Sequence, residues 1–114
     1  MAHAKFDDLF GDHPKIAGLS DAAFRLHTLG ILYCSRHLTD GLIAADEVPR
    51  LVRRFRKSAL AELVASGLWI NVLDGAYSIH DYLDWNDSRE EVERRRELAA
   101  KRKQQWRERQ EANQ

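Results

Sequence analysis

The chain has 114 residues, 44% hydrophobic and 32% charged, and its 18 Lys and Arg balance its 18 Asp and Glu. That size suits one folded domain with an appended element, and zero net charge gives the molecule as a whole no electrostatic attraction for nucleic acid. One cysteine excludes an internal disulfide, and no apolar run approaches the ~18 residues of a membrane span.

The charges are segregated. Residues 1–49 hold four Lys/Arg against seven Asp/Glu, residues 50–57 hold five against none, and residues 101–109 hold five against Glu108 alone. Such clustering creates local positive fields on a neutral protein. The N-terminus has no apolar h-region, so no signal peptide is expected and the cytoplasm is the expected location, that of a host cell if the chain is phage-encoded.

Residues 3–19 show no sustained period. Phe6, Leu9, Phe10 and Ile16 can tie them down as an arm on the core, with Gly11 and His13-Pro14 as a turn. Ser20-Asp21 then opens a helix, Ser20 capping orphan N–H groups and Asp21 facing the positive end of the dipole. Ala23, Leu26, Leu29-Gly30, Tyr33-Cys34 and His37 mark its inner face at helical spacing, broadened by Phe24, Ile31 and Leu32. Arg25, His27, Thr28 and Arg36 are expected outside. Gly30 weakens the helix locally and implies close approach of another element. Cys34 reads as a small buried hydrophobe.

Thr39-Asp40-Gly41 signals a turn, and Leu42-Ile43 a short β-bridge onto a later hairpin. Asp46-Glu47 is expected to open a second helix, with Pro49 in its first turn and Val48, Leu51, Val52 and Phe55 as its stripe. Ser58 is expected to cap a third helix, lined inside by Ala59, Leu60, Leu63 and Val64 and stopped by Gly67. Leu68–Val72 and Ala76–Ile79 alternate as strands around an Asp74-Gly75 turn. Helix, helix, strand, turn, strand implies a mainly α (α+β) winged helix-turn-helix over residues 1–85, including the arm. Asn86-Asp87-Ser88 starts a long charged helix in residues 86–114, running from Arg89 to about Glu111 for roughly 35 Å. Trp85, Val92, Ala99 and Trp106 recur every seven residues. The rest of that seam is Arg95 or Arg96, Arg102 and Arg109, which argues against a self-sufficient coiled coil. Glu90–Arg94 and Glu91–Arg95 have pairing distance along it.

Two basic clusters carry the functional reading. Arg50, Arg53, Arg54, Arg56 and Lys57 can neutralise phosphates, which supplies affinity without sequence choice. Lys101, Arg102 and Lys103 can extend that contact. The third helix would present Lys57, Ser58, Ala61, Glu62, Ala65 and Ser66. Only Lys57, Ser58 and Glu62, which can accept from cytosine, suit base edges. Trp106 is a candidate partner anchor on a charged helix. A solvated surface loop and a helix laced with Glu–Arg pairs are the plain alternatives for the two clusters. The histidines lack metal spacing, and Asp81 and Asp84 beside His80 come without a nucleophile or phosphate-loop motif, so neither an enzyme nor a metal or cofactor site is expected.

The strings FGDHPKIAGLSDAAFRLH, CSRHLTDGLI and AELVASGLW…YSIHDYLDWN make residues 5–90 resemble a family of small actinobacterial and actinophage proteins. These are related to the amino-terminal winged-helix domains of phage replication-initiation and replisome-organiser proteins. The resemblance implies a winged helix acting in replication initiation or transcription. It also implies Ser20 as a cap, Phe24 and Leu26 in the core, Gly41 in a turn, and Trp69 and Tyr77 in the hairpin. Double-stranded DNA is the expected partner, together with a replication or transcription protein. A homodimer is attractive because one short recognition helix reads too little DNA alone. The alternative is a protein-interaction adaptor using the winged helix as scaffold and the C-terminal helix as hook.

Overall fold

The computed structural model describes residues 3–72 and 75–113, apart from the side chain of Trp85. Its elements run α1 (Pro14–Ala17), α2 (Asp21–His37), β1 (Leu42–Ala44), α3 (Lys57–Ala65), β2 (Trp69–Val72), β3 (Ala76–Ile79), α4 (Tyr82–Trp85) and α5 (Arg89–Ala112), with single 3-10 turns at Phe10–Asp12 and Val48–Arg50. The architecture is mainly helical with one small antiparallel sheet and a long last helix, a winged-helix-like α+β fold.

The sheet has the order β1-β3-β2, with Leu42 opposite Ser78 and Trp69 opposite Ile79. Leu42-Ile43 thus belongs to a full three-residue strand rather than a lone bridge. The glycine at the hairpin end, Gly75, has φ +70°, as a tight turn requires; Asp74 lies outside the described residues.

The core gathers where α2, α3 and the sheet meet. Leu26, Cys34, Ile43, Val48, Leu63 and Trp69 are essentially inaccessible to solvent. Trp69 is its largest member. Gly30 is there to admit it: a Cβ on that residue would lie 2.6 Å from Trp69 Cζ2. The helix accepts the weaker local preference of glycine because the indole needs the space. Cys34 is fully enclosed, and burial pushes its thiol up to about 11, which leaves it unreactive.

Two helix starts follow local chemistry. Ser20 Oγ accepts from Ala23 N–H at 3.2 Å, and Ser88 Oγ from Glu91 N–H at 3.1 Å. Both expectations hold. Gly67, at φ +80°, ends α3 as expected.

Elsewhere the structure corrects the sequence reading. The arm is not a plain turn: His13 Nδ1 accepts from Lys15 N–H at 3.2 Å and caps α1, with Pro14 at its first position. The second helix is missing. Val48–Arg50 forms one 3-10 turn, after which the chain bends toward α3. Pro49 withdraws a donor, the basic side chains from Arg50 to Arg56 repel one another, and a single turn already delivers Val48 to the core. α3 begins two residues earlier than expected. Arg56 is its N-cap without a side-chain hydrogen bond, and Ser58 lies inside the first turn.

On α2, Phe24 and Leu32 are each 40% exposed instead of enclosed, while His27, expected outside, is 3% exposed. The reason is Trp69. Its buried indole N–H needs an acceptor, and His27 Nδ1 supplies it at 2.9 Å.

Candidate nucleic-acid interface

The N-terminal approach to α3 holds the densest positive charge on the domain. Arg50 is partly committed, its guanidinium lying 3.4 Å from the Glu47 carboxylate. Arg53, Arg54, Arg56 and Lys57 are exposed and make no ion pair with the described residues. The uncapped start of α3 adds backbone N–H groups and the positive end of a helix dipole to the same place. Cationic side chains beside free N–H groups suit a phosphate oxygen.

The outer face of α3 is small and shallow. Ser58, Ala61 and Ala65 are exposed, whereas Ser66 Oγ donates back to Leu63 C=O at 2.9 Å. Glu62 is half-buried, and its Oε2 accepts Ser20 N–H at 2.7 Å. A carboxylate from α3 thereby caps α2 across 42 residues of sequence, completing at a distance what a capping box does locally. No local sequence signal marks such a partner. Short side chains let a groove surface come close to the α3 backbone but give it little to read.

The second basic cluster belongs to α5. Asp40 Oδ1 accepts Arg89 N–H at 2.7 Å and anchors the helix start just beyond the C-terminal end of α2. Asp87 pairs with Arg95 and, at 3.3 Å, with Lys5. The Arg95 guanidinium holds the Asp87 carboxyl below the usual range, burial opposing it and Lys5 adding to the lowering; Asp87 in turn raises Arg95. Glu90–Arg94 forms at 3.1 Å as expected, but Arg95 chooses Asp87 over Glu91, and Arg89 instead meets Glu93 at 2.9 Å. Solvent screens these exposed pairs, so they orient side chains along the helix more than they stabilise it.

Beyond them Lys101, Arg102 and Lys103 are exposed and unpaired among the described residues, about 18 Å along the axis from Arg89. Trp106 is 57% exposed. The helix carries no buried residue, and the molecule's longest dimension is 65 Å.

The two clusters are therefore not one surface by construction. Glu62 ties α3 to the first residue before α2, and Asp40 ties α5 to the far end of the same helix, roughly 24 Å away. No described hydrogen bond or ion pair links them.

Among the described residues no group of His, Cys, Asp and Glu is arranged to hold a metal ion, and no helix is long and apolar enough to cross a membrane. No family model, curated protein or solved structure matches the chain.

Proposed function

We propose that this protein is a non-enzymatic winged-helix protein that binds double-stranded DNA mainly through its phosphates. The observation that carries this reading is the set Arg53, Arg54, Arg56 and Lys57, exposed and unpaired among the described residues at the uncapped N-terminus of α3. In this reading those four side chains grip the backbone and Ser58 approaches the base edges. Glu62 has a structural task already. Lys101–Lys103 reach a separate stretch of duplex or the DNA of a second copy in a dimer. The sequence resemblance gives this activity a place in phage or bacterial replication initiation or transcription control.

Binding of this kind is weakly sequence-selective and steeply salt-dependent, with log K falling by about 0.9 per log unit of salt for each phosphate contact. Fluorescence anisotropy of a random duplex with the full chain is the test. Micromolar binding is expected at ~50 mM salt, with a slope of about −3 to −4 from four contacts. Reversing Arg53, Arg54 and Arg56 to Glu should abolish it. No binding by the wild-type chain under those conditions overturns the reading.

A second reading rests on Trp106. A tryptophan 57% exposed on a helix without buried residues suits a protein-interaction adaptor with α5 as the hook. Indifference of DNA binding to the triple reversal would favour that alternative.

A further inference from the structure

The second half of α5 carries chemistry that the domain does not use. It lies outside residues 5–90, the stretch that carries the sequence resemblance. Trp106 is 57% exposed there, and none of the described ring contacts involves it. Residues three, four and seven apart share one face of a helix. Arg102, Lys103 and Arg109 therefore flank the Trp106 indole, at i−4, i−3 and i+3 of α5. All three are exposed and make no ion pair with the described residues. The acids point elsewhere. Glu108 lies across the helix from Trp106 and accepts from Gln104 at 3.2 Å, and Glu111, five residues on, is also turned away. One face thus shows an open indole among cations and no carboxylate.

The composition of that face rules out most occupants. A helix lying on a membrane needs a broad apolar face, and Arg102, Lys103, Arg109 and Gln110 leave a single ring. A helix seated in a protein groove carries apolar anchors at i, i+3, i+4 and i+7, whereas the next apolar residue on this face is Ala99, seven back. A second copy zipped along α5 would meet arginine at the seam positions 102 and 109. An intact duplex presents phosphates to the cations but keeps its bases stacked, so that only their edges are open. A single strand offers a phosphate and a free base face in every nucleotide. An indole among cations matches that pair of groups.

We infer that the Trp106 face of α5 is a site for single-stranded DNA: an unpaired base stacks on the indole while Arg102, Lys103 and Arg109 hold the phosphates beside it. Val92 and Ala99 continue the same face back to a groove that α5 forms with Ser35 and Leu38. Trp106 stands about 10 Å along the axis beyond Ala99, so the strand reaches the indole clear of that groove. The cations at 102 and 103 serve the phosphates of a duplex or a single strand, and the indole adds the preference for the unpaired form. Stacking is tolerant of sequence, so the site takes any base. This inference goes beyond duplex binding at α3; only the choice of DNA over RNA rests on that reading.

The probe is a labelled deoxyuridine dodecamer, titrated with the full chain at about 50 mM salt and followed by fluorescence anisotropy. Trp106→Leu keeps every charge and removes the ring, and it should weaken that binding about 5- to 100-fold, the worth of one stacked base. Trp106→Phe should restore most of it. A random duplex should bind wild type and Trp106→Leu alike. Because α5 has no buried residue, neither variant should shift the thermal melt. Equal binding of the dodecamer by wild type and Trp106→Leu overturns the inference, as does a duplex affinity that falls just as far. A uridine dodecamer that binds more tightly than its deoxy counterpart overturns the assignment to DNA. A dimer in light scattering that Trp106→Leu dissociates would give the indole to a second copy instead. Reversal of Arg53, Arg54 and Arg56 is read on the duplex, so a failure at α3 and a failure at α5 are told apart.

Discussion

Trp69 and Trp106 lie in two halves of the molecule built on opposite principles. Trp69 is fully enclosed, fills the space that Gly30 leaves, and donates to a buried histidine. Trp106 is 57% exposed on a helix with no buried residue. In the first half stability comes from long-range packing that propensity did not announce. In the second it comes from caps, helix-forming residues and i,i+4 pairs, all of them local. The comparison teaches where chemistry can be changed without cost: the enclosed half tolerates little, whereas α5 keeps its surface chemistry free for a partner.

The largest effect that would test this contrast is truncation of the two tryptophans. Trp69→Ala should cost about 3–5 kcal/mol in urea unfolding, enough to unfold much of a small domain. Trp106→Ala should stay within about 0.5 kcal/mol of wild type. Comparable losses from both would show that α5 is packed against something in solution and break the comparison.

Acid separates the halves next. His27 has a folded pKa of about 4 against an ordinary 6.5, so the unfolded chain binds the extra proton more readily. The stability this contributes is complete above pH 6.5 and is lost as pH falls from 6.5 toward 4, about 3 kcal/mol over the window. Asp87 titrates later. Its pKa is depressed, so its contribution is present above the ordinary 3.8 and is lost only as pH falls below it. Urea titrations between pH 7 and 3 should therefore show the enclosed half weakening first, and His27→Leu should lack the slope above pH 4.

The smallest effect concerns the tether between halves. Asp87→Asn removes the ion pairs to Arg95 and Lys5, both partners being largely exposed. It should cost less than about 1 kcal/mol globally. Amide exchange at the start of α5 should quicken while Leu26, Ile43 and Leu63 keep their protection. Equal loosening of those core amides would show one cooperative unit instead of two regions.

Much of the architecture was legible in the sequence because its signals are local. Ser20 and Ser88 cap where their side chains can reach the third residue on, Gly67 stops α3 through its own φ, and alternation marked β2 and β3. Gly30 correctly announced a close approach, though not by which side chain. The second helix was misread because apolar spacing at Val48, Leu51, Val52 and Phe55 is compatible with both a helix and a looped path that buries the same residues. In the basic cluster, charge was legible and pairing was not. Glu62 looked like a base reader until Ser20, 42 residues away, took its carboxylate.

The residues alone determined the segregation of charge, the positions of most helix and strand boundaries, and the long uninterrupted α5. These follow from side-chain chemistry acting within a turn or two of the backbone. Tertiary structure decided the fate of His27. A 3.6-residue period placed it outside, but the indole N–H of Trp69 had to be satisfied in a dry core, and the nearest acceptor was that imidazole. Phe10 stacks on that ring, and both residues line a cavity under the arm. Only the folded chain could bring together residues 10, 27 and 69, since a buried indole N–H finds its acceptor through three-dimensional surroundings.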